Sequence, residues 1–153
     1  MEDKEKIWCC TRFEKIYPSR LLVYENMPGA FHVRGNLPDE GKKTVAIVGA
    51  RACSAYGAHQ AYVFGKKLAE HGVQIISGLA RGIDGKAHLG ALDGGGKTFA
   101  VMGCGVDICY PAENRKLYER MILEGGGVLS EFDNGTPPRG RNFPQRNRII
   151  SGL

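Results

Sequence analysis

Two groups of residues in this sequence could do chemistry, and the first is an acid and a histidine four positions apart. Asp84 and His88 would share one face of a helix, where they could form an acid/base or metal-ligating pair. Such a pair supplies at most two metal ligands, and no third ligand is evident. Asp84 also suits the N-cap or first turn of a helix, where a carboxylate is favoured by the helix dipole. We therefore predict structural roles for both residues, with no catalytic residue, no metal and no cofactor.

The second group is a set of cations near the end of the chain. Residues 134–153 contain four arginines and no acidic residue, so they carry +4 of the formal net charge of +5. A basic segment on a nearly neutral body indicates a local anionic partner, although charge alone fits a solvated basic end equally well. Phe143 lies among these arginines, and a single nucleic acid strand needs both an aromatic face and cations. Phe143 could also serve as the hydrophobic staple of the last helix.

Glycines mark the ends of the predicted strands. The sequence has 22 glycines in 153 residues, about twice the usual share of roughly 7%. Gly49 follows the first predicted strand, Gly78 and Gly82 follow the second, and Gly103 and Gly105 follow the third. Helix N-termini converge at the carboxyl ends of parallel strands, and glycine lets an anion approach the backbone there. This placement predicts a phosphate-binding edge.

The sequence of the first glycine turn argues against binding of a dinucleotide or of ATP. Residues 49–57 lack G-x-G-x-x-G spacing, and the chain contains no G-x-x-x-x-G-K-S/T motif. Arg51 lies in this turn, where its guanidinium could bind a phosphate in bidentate fashion or close the loop against a carboxylate.

The elements that must position these residues alternate along the chain. Short apolar runs predict strands at 45–48, 73–76, 98–101 and 128–130, and helices are predicted after Ser54, over 84–92 and 114–123, and from about Pro144. This alternation predicts a Rossmann-like, doubly wound α/β fold with a mostly parallel sheet. We predict a domain over 41–153 preceded by a strand-loop extension over 1–40.

Local patterns make this prediction more specific. The run 45–48 has the pattern of a strand buried on both faces. In the helix after Ser54, the apolar positions at helical spacing are Ala61, Phe64 and Leu68, with Tyr62 as a further candidate. Residues 20–24 and 31–34 favour short strands, and Trp8 is expected to anchor the extension onto the domain.

Cysteine usage and hydropathy exclude other classes of protein. The five cysteines form no C-x-x-C pair and have no histidine in metal-ligand spacing, so we expect neither a zinc site nor a disulfide framework. No apolar run approaches the roughly 20 residues that cross a bilayer. We expect a cytoplasmic protein without membrane contact.

Several long motifs, in order and in register, resemble the DNA-processing protein A family, DprA or Smf. They are V-A-I-V-G-A-R at 45–51, S-G-L-A-R-G-I-D at 77–84, G-C-G-V-D at 103–107, Y-P-A-E-N at 110–114 and N-F-P-Q-R-N-R-I-I at 142–150. The similarity extends over about residues 16–153. It implies a non-catalytic protein that binds single-stranded DNA, protects incoming DNA during natural transformation and loads the strand-exchange recombinase. It also implies a homodimer.

The resemblance also implies which residues contact the DNA. By matching position, the DNA groove is implied to be lined by Arg51, Ser77, Gly78, Arg81, Gly82, Asn142, Phe143, Arg146, Asn147 and Arg148. In the family the segment ending at 153 leads into further strands that complete the sheet. We therefore expect a fragment or a shortened homologue, incomplete at its C-terminus, whose dimer interface could be lost with those strands.

Two alternatives come from related Rossmann-like proteins. Phosphoribohydrolases of the lysine-decarboxylase-like type share glycine-rich turns, but they rely on a P-G-G-x-G-T-x-x-E element. Residues 125–131 contain glycines and Glu131 without the P-G-G and G-T steps. The other alternative is a sensor that holds a small signalling nucleotide in the same pocket.

Overall fold

Six strands form one mixed sheet in the computed structural model, which describes residues 6–153. The strands are β1 (Ile7–Thr11), β2 (Ala30–Gly35), β3 (Thr44–Ala46), β4 (Gln74–Ser77), β5 (Thr98–Val101) and β6 (Gly127–Ser130). Their order across the sheet is β1-β2-β6-β5-β4-β3. Strands β3 to β6 are parallel, whereas β1 pairs with β2 and β2 with β6 in antiparallel register.

Four helices cover the two faces of this sheet. They are α1 (Ala55–Glu70), α2 (Ile83–Asp93), α3 (Arg115–Leu123) and α4 (Asn142–Gly152). Because β3 to β6 follow one another in sequence order across the sheet, right-handed crossovers place α1, α2 and α3 on the same face. Helix α4 packs on the opposite face, together with a short 3-10 helix at Ser19–Leu21.

Of the parallel strands, β4, β5 and β6 are buried on both faces, and alternate residues contribute to different cores. Ile76, Phe99 and Leu129 pack with Ile149 of α4 and with the N-terminal segment. Ala100 and Val128 point the other way, toward α3. The Rossmann-like α/β fold with a mostly parallel sheet is therefore confirmed, since both faces of the sheet are covered and βα units alternate.

The strand predicted over 45–48 is shorter and more exposed than its composition suggests. Strand β3 ends at Ala46 and has β4 as its only neighbour among the described residues. Val48 is 57% exposed, and Val45 is also exposed. The prediction that this run is buried on both faces is wrong, because an apolar run does not distinguish a central strand from an edge strand.

Helix α1 begins as predicted but turns a different face inward. The Ser54 hydroxyl accepts a hydrogen bond from the Gly57 amide and caps the helix. The buried positions are Ala61, Gly65 and Ala69, whereas Phe64 faces solvent. The prediction that Phe64 packs inward is wrong, because close contact with α2 requires small residues on this face.

The N-terminal segment is partly as predicted. Residues 31–34 lie in β2, but residues 19–21 form a 3-10 helix in place of the predicted strand over 20–24, and β1 was not predicted. Trp8 is partly buried, and its indole N–H donates to the Gly35 carbonyl. Residues 1–5 of the predicted extension lie outside the described residues, and its boundary at residue 40 stays a prediction. No helix in the described part is long and apolar enough to span a membrane.

The contact between α1 and α2 yields a test of the fold. A Cβ on Gly90 would overlap the Tyr62 carbonyl group. We expect Gly90→Ala to lower the free energy of unfolding by about 1 to 3 kcal/mol, because overpacking outweighs the higher helix propensity of alanine. Gly29→Ala is the matched control, since a Cβ there meets nothing within 4 Å. Urea denaturation measures both, and equal stability of the two variants would contradict this packing.

Candidate nucleic-acid interface

Two loops meet at the carboxyl ends of β3 and β4, and glycine lets them touch. We call residues 49–54 the first turn and residues 78–82 the second turn. Gly82 has φ +76°, and a Cβ on it would overlap the carbonyl oxygens of Ala50 and Arg51. The Ile83 amide also donates to the Ala50 carbonyl at 3.3 Å. The backbone of the first turn therefore lies directly on the start of α2, which requires glycine at position 82.

The second turn is itself conformationally constrained. Leu79 is fully buried and has φ +59°, a left-handed conformation that is uncommon for a branched residue. Its carbonyl accepts a hydrogen bond at 2.8 Å from the Asn114 side chain, which precedes α3. A strained, buried residue that neighbours hold in place is typical of functional loops.

Asp84 holds the two turns together. One oxygen of its buried carboxylate accepts a hydrogen bond from the Gly49 amide at 3.3 Å, and the other accepts one from the Gly78 amide at 3.1 Å. Burial raises the pKa of Asp84, while these bonds and the charge of Arg146 act in the opposite direction. Asp84 lies in the first turn of α2, whose N-cap is Gly82, so it links both loops to that helix.

Arg146 attaches the start of α4 to the same edge. It is 4% exposed, and its Nη1 donates to the carbonyls of Gly78, at 3.1 Å, and Val101. Burial lowers its pKa, and the nearby charge of Asp84 opposes that shift. Asn142 adds a second attachment, because its side chain donates to the Gly103 carbonyl at 3.0 Å. The basic segment is therefore held against the ends of β4 and β5.

Phe143 lies where these elements converge. Its half-buried ring lies with its centroid 5.1 Å from Cζ of Arg51 and 5.5 Å from Cζ of Arg146, within the range of cation–π contacts. The ring of Tyr110 is 5.5 Å away. Gly103 permits this position, since a Cβ there would lie 2.8 Å from the Phe143 ring. An aromatic ring and an exposed cation thus adjoin the two turns.

Together these residues line an open depression of about 470 Å³, which we call the turn groove. Its lining includes Gly49, Arg51, Ala80, Phe143, Arg146 and Asn147. Arg51 and Asn147 are exposed, and no ion pair of Arg51 occurs within residues 6–153. A smaller depression beside it is lined by Arg51, Gly78, Arg81, Tyr110 and Phe143. The groove thus presents backbone, one aromatic ring and an exposed guanidinium, a combination suited to a phosphate and a flat base.

The remaining predicted positions differ in their surroundings. The Ser77 hydroxyl is fully buried and donates to the Ile47 carbonyl. Arg81 is exposed and paired with Glu113, with Nε 2.9 Å from the carboxylate. Arg148 makes a bidentate pair with Glu131, with both N–O distances 2.7 Å, and this pairing raises its pKa. The structure therefore groups Arg51, Gly78, Phe143, Arg146 and Asn147, while Ser77, Asn142 and Arg148 support the surrounding elements.

Sequence reasoning missed two contributors to this site. It assigned Asp84 a structural role at the start of α2 without foreseeing that its carboxylate bridges two separate turns. It gave Tyr110 no role, although the ring adjoins Phe143. Only the Y-P-A-E-N motif at 110–114 could have indicated it. Within the described residues no three His, Cys, Asp or Glu side chains are grouped as a metal site would require.

A family model describing DNA recombination-mediator protein A matches residues 8–153. The chain belongs to this family. Relatives include Protein Smf of Escherichia coli, which is 45% identical over 91% of this chain and 37% of its own length. DNA processing protein DprA of Streptococcus pneumoniae is 44% identical over 90% of this chain and 48% of its own length. The chain spans less than half the length of these curated relatives.

Solved structures of the family have the same fold. The X-ray structure of DprA from Streptococcus pneumoniae matches with a TM-score of 0.85 at 39% identity, covering 97% of this chain and 52% of that one. DNA processing protein A from Helicobacter pylori matches with a TM-score of 0.80 at 26% identity, and the match covers 99% of this chain and 67% of that one. That structure concerns the single-stranded DNA binding mode of the Helicobacter pylori protein. The resemblance inferred from the sequence motifs is confirmed.

The second candidate residue of the sequence, His88, is part of the core. Its Nδ1 lies 2.6 Å from the Thr98 hydroxyl, which donates its own proton to the Ile75 carbonyl, so Nδ1 donates. The Nε2 atom is buried and has no hydrogen-bond partner within residues 6–153. Burial lowers the pKa of His88 to about 3, so the ring is neutral at physiological pH.

This buried ring makes stability depend on pH. Below the ordinary pKa of 6.5 the unfolded chain binds a proton at His88 that the folded chain does not, so acid favours unfolding. Between about pH 6 and pH 4 we expect His88 to contribute a loss of about 1.4 kcal/mol in the free energy of unfolding per pH unit. Denaturant melts across this range should give a weaker dependence in His88→Leu, whereas the exposed control His59→Gln should behave like the parent. Identical slopes in all three proteins would contradict the assignment.

Proposed function

We propose that this chain binds single-stranded DNA in the turn groove and acts without catalysis, as a recombination mediator in DNA processing. The observation that carries the proposal is the stack of the exposed Arg51 guanidinium over the Phe143 ring, beside two turns built on glycine. A single strand needs cations for its phosphates and aromatic faces for its unstacked bases. Both lie within one depression here.

The distribution of charge supports an anionic guest. Arg51 is exposed and free of carboxylate partners among the described residues, so its charge is available to a ligand. Arg146 lies buried at the groove with the opposite charge of Asp84 nearby, so the uncompensated charge here is that of Arg51. The groove is therefore favourable for phosphate, and its backbone floor favours no particular base.

The partners belong to the same proposal and rest on the family. We include loading of a strand-exchange recombinase, protection of incoming DNA in natural transformation, a homodimer and a cytoplasmic location. The absence of catalysis has its own local support, because Glu131 is engaged by Arg148 and Gln145. A carboxylate whose two oxygens are bound to α4 is poorly placed to assist cleavage of a nucleotide.

Arg51 provides the first test of DNA binding. We expect Arg51→Ala to weaken binding to labelled oligo-dT and to make the dependence of log K on log salt shallower by about 0.7, as for one lost phosphate contact on a single strand. Lys43→Ala is the matched control, because this exposed lysine precedes β3 at the opposite end of the strands. Fluorescence anisotropy at several salt concentrations measures both. No saturable binding by the parent protein, or equal losses in the two variants, would contradict the proposal.

Phe143 tests the base-stacking half of the proposal. Phe143→Ala should weaken oligo-dT binding by about 1 to 3 kcal/mol with little change in salt dependence, because stacking is lost and phosphate contacts are kept. Phe143→Tyr retains an aromatic face and should bind nearly as well as the parent. Thermal melts of both variants separate a binding effect from loss of the α4 packing. A folded Phe143→Ala variant with unchanged affinity would show that the ring only packs.

A further inference from the structure

A second depression lies between α2 and α3, outside the turn groove. We call it the α2–α3 cleft. It has a volume of about 310 Å³. One wall comes from α2 with Gly85, Lys86 and Leu89, and the other comes from the start of α3 with Lys116 and Leu117. Of the ten positions predicted to line the DNA groove, only Gly82 also lines this cleft.

The cleft carries unbalanced positive charge. Its third cation, Arg120, is paired with two carboxylates, Asp93 at 2.7 Å and Glu124 at 2.6 Å, so this group carries −1 against the +2 of Lys86 and Lys116. Its acid, Glu113, is neutralised by Arg81. Lys86 and Lys116 are exposed, and within residues 6–153 neither forms an ion pair. The two walls of the cleft therefore each contribute one exposed ammonium group that is not in an ion pair among the described residues.

The cleft is continuous with the proposed DNA surface. Arg81 lines the small depression beside the turn groove, while its ion-pair partner Glu113 lines the α2–α3 cleft. Both side chains of this pair are more than half exposed, so the pair separates the two depressions as a low surface ridge and not as a wall. Because Arg81 offsets the carboxylate of Glu113, a phosphate backbone crossing the ridge meets no net negative charge.

The geometry points to the α2–α3 cleft as a second phosphate subsite, which Lys86 and Lys116 supply for a strand that continues past Arg81 from the turn groove. This inference rests on the proposed function. The half-buried side chains of Leu89 and Leu117 add an apolar floor for the sugar or base between the two ammonium groups. The subsite engages only a strand long enough to cross the ridge, so its contribution depends on oligonucleotide length.

The experiment compares oligo-dT of about 6 and about 16 nucleotides, sizes that bracket single-strand grooves of one domain. The variant is Lys86→Gln with Lys116→Gln. Its matched control is Lys42→Gln with Lys43→Gln, which removes two exposed lysines before β3, at the opposite end of the strands. Anisotropy is measured against salt for each oligonucleotide. All four substitutions are at exposed positions, and thermal melts verify folding.

For the long strand we expect the cleft variant to bind several-fold more weakly and to lose about 1.4 from the salt slope, about 0.7 for each lysine. For the short strand it should match the parent, and the control variant should match the parent for both. Unchanged binding of the long strand, or equal losses for the two lengths, would overturn the second subsite while leaving the turn groove intact. If the parent binds neither strand, the proposed function itself has failed, and this inference fails with it.

Discussion

The site depends on one buried carboxylate. Asp84 accepts the amide of Gly49 with one oxygen and the amide of Gly78 with the other, so a single side chain sets the spacing of two turns that are far apart in sequence. The guanidinium of Arg146 lies beside it and binds the carbonyls at the ends of β4 and β5. Each charge offsets the burial penalty of the other. Removing either would leave the other buried charge without this nearby opposite charge.

The arginines at this edge divide into two kinds. Arg146 and Arg148 are engaged in the fold, one with backbone carbonyls and the other with Glu131. Arg51 and Arg81 are exposed at the surface, and within residues 6–153 only Arg81 of these two has a carboxylate partner. Of the four arginines in residues 134–153, Arg146 and Arg148 thus attach α4 to the fold, whereas Arg139 and Arg141 are exposed. The exposed charge that a ligand would meet comes from these two arginines, from the first and second turns, and from α2 and α3.

The sequence predicted the parallel strands and helices well, because their apolar periodicity and glycine stops are local signals. It could not predict that β3 lies at an edge, since Val45 has the same neighbours in sequence whether or not another strand pairs beside it. Phe64 was misplaced because the close approach of α1 and α2 favours Gly65 over a larger side chain at the contact. The full set of ten candidate positions came from the family resemblance, although glycine placement and residue type had already indicated Arg51, Gly78, Gly82 and Phe143. Which of them face the groove depended on long-range bonds, such as that of Asn142 to Gly103, that no local pattern encodes.

The glycines at the base of the turn groove, Gly49, Gly78 and Gly82, also limit how such a site can change over evolutionary time. A Cβ would overlap backbone carbonyl oxygens at Gly82, the Ile83 side chain at Gly49, and the side chains of Arg146 and Asp84 at Gly78, so a larger residue at any of these positions would displace part of the site. These positions offer no small steps by which recognition could be adjusted. The rim residues Arg51 and Asn147 are exposed and can be exchanged one at a time without disturbing the backbone. Divergence in what the groove recognises should therefore accumulate at its rim, above a floor that stays constant.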